Sequence, residues 1–398
     1  MNKEFHKKQN FFSFSDIDSE RKDRIMKFTS TEATPAPHVP PGVLRLTGAA
    51  KEDIPMYHIQ TMNKISPVGL NRFPSELYEV GDAVQDPQGI LVRSAKLLDL
   101  EFNPSLLAIA RAGVGVNNIP LDRCAAAGIP VFSTPGANAN AVKELVICAM
   151  LMGSRDIPGA IRWVREQAAS GVDVSTVVEK GKSAFIGPEL YKKTLGIIGL
   201  GAIGSIVANT AISLGMDVYG YDPFLSVDTA LRLDRHVHVV KDINDLYKRS
   251  DYITMHIHYT EKTAHMIDAD AIAAMKRGVR VINLARGEIV DDEAMLTALD
   301  TGMVAAYITD FPNNRLLTAP HVIAMPHLGA STPESEQNCA AMAVDTLRDY
   351  LESGNIRSSV NLPEMTMDRS GVQRLCVLHK NVPGMLANIT SLFGRDLS

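Results

Sequence analysis

Apolar residues come in short, nearly unbroken runs along this chain. "MYHIQTM", "GILVRSA", "LLAIARAG" and "PVFSTPG" occupy its first third, and "TLGIIGLG", "DVYGYDP", "YITMHIHY", "VRVINLAR", "AAYITDFP" and "HVIAMPH" follow between residues 194 and 327. Turn-forming residues interrupt the runs and helical patterns fill the intervals, which predicts parallel strands covered on both faces of an α/β sheet. "ANANAVKELVICAMLMGSRDIPGAIRWVREQAASG" holds two helical patterns that split near Gly153. "STPESEQNCAAMAVDTLRDYLESG" predicts one long helix, with Thr332 as its cap and Pro333 in its first turn. Residues 1–52, with the proline-rich run "TEATPAPHVPPG", predict a mobile extension, and 353–371 reads as a polar linker before a last piece, 372–398. No short-period repeat is present, so solenoids and propellers are excluded.

Composition narrows the class. The 398 residues suggest two or three units, and 45% apolar with 21% charged residues is the make-up of an ordinary globular protein with ample core. Net charge is −5 with the signs interspersed, so neither nucleic acid nor an anionic membrane is an expected partner. Cys124, Cys148, Cys339 and Cys376 are scattered without C-x-x-C spacing, which argues against a metal site or a disulfide framework. No apolar run is long enough to span a bilayer, and the N-terminus has no secretory h-region. A cytoplasmic enzyme is the expectation.

The first chemical signal is "TLGIIGLGAIGSIVANTAISLGMDVYGYDP". Gly199, Gly201 and Gly204 stand in G-x-G-x-x-G spacing after a strand and before a helix. The first makes the tight turn, the second lets a pyrophosphate approach the main chain, and the third packs helix on strand. The free amides of the helix start would hold the phosphate charge. Asp222 ends the next strand, where a carboxylate accepts from both ribose hydroxyls and repels a 2′-phosphate, favouring NAD over NADP. The alternative is a structural glycine turn with a solvated Asp.

In an open parallel sheet, ligands bind beyond the carboxyl ends of the strands. Arg286, Asp310 and His327 all fall at such ends. Hydride transfer from a hydroxyl needs a group that takes its proton, which a histidine near neutrality can do, and a cation to bind a substrate carboxylate. Against this reading, an arginine at a strand end is usually a surface ion-pair partner. His256 and His258 in "MHIHY" also close a strand and alternate, so only one of them would face the ligand.

"RAGVGVNNI", "GLGAIG", "NLARGEIVD" and "PHLGAST" together resemble the D-isomer-specific 2-hydroxyacid dehydrogenase family over about residues 55–352, most closely its members that act on 3-phosphoglycerate. The resemblance implies two lobes, with a Rossmann-type NAD domain (154–327) inserted in a flavodoxin-like substrate-binding domain (53–153 and 328–352). By the same resemblance Arg286 binds substrate and His327 is the acid–base group, while the Val114 and Gly115 amides take the carboxylate. Arg93 and Ser94 match phosphate-holding positions, Ala202 and Ile203 pyrophosphate contacts, and Ala285 and Asp310 the nicotinamide side. The implied reaction is NAD-dependent oxidation of 3-phosphoglycerate to 3-phosphohydroxypyruvate, the first step of serine synthesis. Two other readings stand beside it: a glyoxylate- or hydroxypyruvate-type reductase, and an NAD-responsive binding protein without turnover.

One departure motivates the last of these. The family places a glutamate a few residues beyond the strand-ending Asp, where it pairs with the histidine and raises its pKa. Here the loop is "TDFPNNRLL", with Asn314 and Arg315 and no carboxylate after Asp310. Either Asp310 or some other acid substitutes, or His327 titrates lower with a shifted pH optimum. "LHKNVPGMLANITSLFG" resembles the start of an ACT domain, whose effector-binding positions match His379 and Asn381. With one predicted strand and one helix it is too short for a four-stranded sheet. The resemblance further implies a homodimer through the NAD domains.

Overall fold

A computed structural model describes residues 43–47, 56–368, 374–379 and 382–394. It has two compact units, with the chain changing over at residues 137/138 and 335/336. The strands are β1 Val43–Thr47, β2 Tyr57–Met62, β3 Tyr78–Gly81, β4 Gly89–Val92, β5 Ala108–Arg111, β6 Val131–Phe132 and β7 Thr194–Ile198. They continue with β8 Asp217–Tyr221, β9 Val237–Val240, β10 Tyr252–Met255, β11 Val279–Asn283, β12 Val304–Thr309, β13 Val322–Ala324 and β14 Arg374–Leu378.

The first unit is built on a five-stranded sheet, β3-β2-β4-β5-β6, parallel throughout. Numbered within the sheet this is the 2-1-3-4-5 order of flavodoxin-like folds. The strand period of two divides its core: Leu91 packs with Ile59, Ala110 and Phe132 on one face, while Ile90 and Val92 pack with Ile109 and Val131 on the other. The predicted long helix, Pro333–Ser353, lays Ala340, Val344 and Leu347 on the first face. Its start is capped as expected, with Ser335 N–H donating to Thr332 Oγ1 at 3.1 Å. Gly69 lets the backbones close in, since a Cβ there would lie 2.6 Å from Ala340.

The second unit carries seven parallel strands in the order β13-β12-β11-β10-β7-β8-β9. The order reverses between β7 and β10, the switch point at which dinucleotide folds bind their ligand. Leu195, Ile197, Ile282 and Ile308 face one layer of helices, and Ile198, Ile253, Met255 and Val281 the other. Each fully buried aliphatic side chain of this kind contributes about 1.5–3 kcal/mol.

Several boundaries differ from expectation. The helix Ala139–Arg155 belongs with the second unit rather than the first, because Val142, Val146, Ala149 and Met150 pack beside β7, β11 and β12. It ends at Arg155, two residues after Gly153, and the next residue, Asp156, turns the chain with a left-handed backbone (φ 41°) while its carboxylate caps the next helix, Ile157–Ala169. Gly153 is instead a packing residue, where a Cβ would meet Ile308 Cδ1 at 2.7 Å.

The expected linker is partly built into the first unit. Ile356 is fully buried, Val360 N–H donates to the Val131 carbonyl, and Asn361 bridges the main chain of Ile129 and Val131. Nor is the expected extension unstructured throughout: β1 pairs antiparallel with β14, Val43 opposite Leu378, while residues 1–42 lie outside the described residues. This two-stranded sheet with the helix Met385–Gly394 is the described extent of the C-terminal piece, and no ACT domain is seen among the described residues.

Candidate active site

At the carboxyl end of β7, Gly199 adopts φ +90°, a conformation that needs glycine, and a Cβ there would lie 2.6 Å from the His256 carbonyl oxygen. Gly204 opens the helix Ala202–Ser213 directly over this turn, and a Cβ on it would come 1.9 Å from the Gly199 oxygen. By contrast, a Cβ on Gly201 would meet nothing within 4 Å. The helix start has no side-chain cap, so the amides of Ala202 and Ile203 remain available. The turn therefore fits a pyrophosphate: two glycines are demanded by packing and the third faces open space. Asp222 also braces the turn, its carboxylate accepting from Leu200 N–H at 2.9 Å and from Phe224 N–H at 2.8 Å.

Two strands away, β11 ends at Asn283, and Arg286 lies three residues on rather than at the strand end itself. Asn283 is fully buried and shapes this turn: Nδ2 donates to the Arg286 carbonyl at 2.8 Å, and Oδ1 accepts from Ala285 N–H at 3.1 Å. The residue after Arg286, Gly287, makes room for Phe311, since a Cβ would sit 3.3 Å from Phe311 Cβ. The guanidinium of Arg286 lies 5.9 Å from the centroid of the Phe311 ring, and the His327 imidazole lies 4.8 Å from the same ring. Both groups thus lie against one aromatic side chain. The pattern of residues marked neither Asn283 nor Phe311; both act through neighbours in space.

Asp310 straps the histidine turn in place. Its carbonyl accepts from His327 N–H at 2.9 Å and Oδ2 from Gly329 N–H at 3.0 Å, while His327 holds a left-handed backbone at φ 47°. Desolvation raises the Asp310 carboxyl above the ordinary range, opposed by the Gly329 bond and by the charges of His327 and Arg286. Asp310, Phe311 and His327 line an open depression of about 820 Å³ with Tyr307, Asp291 and Arg315. The Arg315 guanidinium is held by Glu293. His256 is ruled out as the proton-transfer group near neutrality, because desolvation depresses its imidazole to about 4. His258 lies beyond the strand on an exposed turn.

In the first unit, Arg93 and Ser94 follow β4, and Val114 and Gly115 follow the adjacent β5, all at the carboxyl edge of the sheet. Arg93 is already engaged, its Nη2 2.5 Å from Glu336 Oε1. His379 is buried just past β14, and Asn381 lies outside the described residues.

Comparison with known proteins identifies the family to which this fold and glycine turn belong. The chain belongs to the D-isomer specific 2-hydroxyacid dehydrogenase family: residues 147–329 match that family's NAD binding domain, whose cofactor is NAD. Among its relatives, the D-3-phosphoglycerate dehydrogenase of Synechocystis is 36% identical over 326 residues, covering 80% of this chain and 56% of that one. The Haemophilus influenzae enzyme of the same name is 33% identical over 330 residues, covering 79% and 77%. The crystal structure of an NAD+-bound 3-phosphoglycerate dehydrogenase from Entamoeba histolytica superimposes with a TM-score of 0.61 at 26% identity, covering 77% of this chain and 99% of that one. The chain spans little more than half the length of several curated relatives it matches, 56% to 60% in three of them.

Proposed function

We propose that the chain is an NAD-dependent dehydrogenase that oxidises D-3-phosphoglycerate to 3-phosphohydroxypyruvate. The observation that carries this reading is that Arg286 and His327 both lie against one ring, Phe311, at the carboxyl edge of the sheet that bears the glycine turn. Bound NAD supplies the hydride acceptor. His327 takes the proton of the substrate hydroxyl, and Arg286 binds the carboxylate and polarises the forming carbonyl. Asp310 keeps the histidine turn in register through the two main-chain bonds described above. Gly199, Gly201, Gly204, Ala202 and Ile203 hold the pyrophosphate, Asp222 the ribose, and Ala285 the nicotinamide side. Val114 and Gly115 offer amides to the carboxylate, and Arg93 with Ser94 takes the phosphoryl group.

The test is Arg286→Ala. Loss of a charge-assisted, bidentate anion clamp should lower kcat/KM by about 10²–10³-fold while NADH binding, read by fluorescence, persists. Unchanged turnover refutes the assignment, and tight NADH binding without turnover of any 2-hydroxy acid by the wild type favours the non-catalytic reading. A homodimer belongs to the same proposal: the helices Ile157–Ala169 and Val174–Gly181 bury none of their residues and expose Ile161, Val164 and Val178, an apolar face suited to a second copy. The proposed setting is the cytoplasm, in keeping with cysteines scattered without C-x-x-C spacing. Among the described residues no helix is long and apolar enough to cross a membrane.

A further inference from the structure

The main chain of the loop after β4 is spoken for. Asn63, itself at φ 75°, accepts through Oδ1 from Ser94 N–H at 3.0 Å and also from Ala95 N–H. Arg111 Nε donates to the Arg93 carbonyl at 3.1 Å. The Ser94 and Ala95 amides are therefore not free to cradle an anion, which leaves the Arg93 guanidinium, with the Ser94 hydroxyl, as the groups that can. That guanidinium is taken by Glu336 at 2.5 Å. Glu336 sits in the first turn of Pro333–Ser353, a helix fixed to the same unit by Ala340, Val344 and Leu347. The carboxylate is thus delivered to Arg93 by a rigid element and not by a wandering loop.

We propose that Glu336 sets the affinity for the phosphorylated substrate: it covers Arg93 in the absence of substrate and yields to a doubly charged phosphoryl group. This rests on the reading of Arg93 as the phosphoryl-binding residue. Both side chains are somewhat over 40% exposed, so their pairing is weak and worth at most a few-fold in an equilibrium constant. A phosphate monoester brings nearly two charges and three acceptor oxygens to the planar guanidinium, and displaces a single carboxylate. A 2-hydroxy acid without phosphate has nothing to offer this position and leaves the pair closed. Glu336 then remains nearby as a like charge that weakens binding of every anion entering the loop.

The test compares wild type, Glu336→Gln, Arg93→Gln and the double variant, with 3-phosphoglycerate and with unphosphorylated D-glycerate. Glu336→Gln should lower the KM for 3-phosphoglycerate about three- to fivefold at unchanged kcat, leave the KM for D-glycerate in place, and have no effect once Arg93 is replaced. Equal shifts for both substrates, an unchanged or raised KM for the phosphorylated one, or an effect that survives loss of Arg93 would overturn the proposal. Calorimetric titration with 3-phosphoglycerate separates this from the activity reading. Wild type without turnover sinks that reading alone, whereas tighter binding by Glu336→Gln still supports the gate. Equal binding, or none in either protein, overturns it.

Discussion

Replacing His256 tests the electrostatics of the dinucleotide turn. The ring follows β10, its Nε2 lies 3.2 Å from Thr254 Oγ1, and its carbonyl abuts Gly199. Its imidazole is depressed from 6.5 to about 4 by desolvation, so the folded protein holds it neutral where the unfolded chain protonates it. The unfolded state therefore binds more protons between these values. Stability is complete above about 6.5 and is lost as pH falls towards 4. The whole fall corresponds to about 3 kcal/mol, and about 2 kcal/mol of it is already gone at pH 5. His256→Asn keeps a polar side chain and removes the titration. Urea unfolding of both proteins from pH 5 to pH 8 should show the variant gaining on wild type by about 2 kcal/mol at the acid end. A variant-minus-wild-type difference that is flat across that range would refute the assignment of a neutral His256, and with it the case for preferring His327 as the proton acceptor.

Two further outcomes follow from the same geometry. Asp310→Asn keeps an oxygen to accept from Gly329 N–H but removes a carboxyl whose pKa desolvation raises, so native Asp310 holds its proton more tightly than the unfolded chain does. Stability from that group is present below the ordinary carboxylate range and is lost as pH rises. The variant should gain on wild type towards neutrality and match it near pH 4, and a pH-independent difference in urea midpoints would contradict this. Gly204→Ala drives a methyl into the Gly199 carbonyl; it should cost about 1–3 kcal/mol and abolish NADH binding, read by melting temperature and fluorescence quenching. Retained binding would show that the turn has slack the packing denies.

Much of this was legible in the order of residues. Strands buried on both faces wrote themselves as continuous apolar runs, and the glycine spacing located the turn at β7 because Gly199 and Gly204 answer local steric demands and Gly201 keeps the ligand side open. β3 and β9 were missed because they are short and partly polar, and β9 pairs on one side only, so neither leaves a run to read. Asn283 and Phe311 escaped because their roles are three-dimensional: one ties a turn from beneath and the other is touched by two groups from separate stretches of the chain. The pairing of Arg93 with Glu336 joins residues 243 positions apart, beyond the reach of any local pattern. The segment around Ile356 looked like a linker because its attachment is spread over separated points: Ile356 and Leu362 in the core, the Asn361 side chain, and main-chain bonds of Ser358 and Val360.

The pairing of β1 with β14 has a consequence for biogenesis. Val43 finds Leu378 only after nearly all of the intervening polypeptide has left the ribosome, so through most of translation the early strand offers a bare edge to whatever lies near. Closing so distant a pair is entropically slow, and it should be among the last contacts a nascent molecule makes.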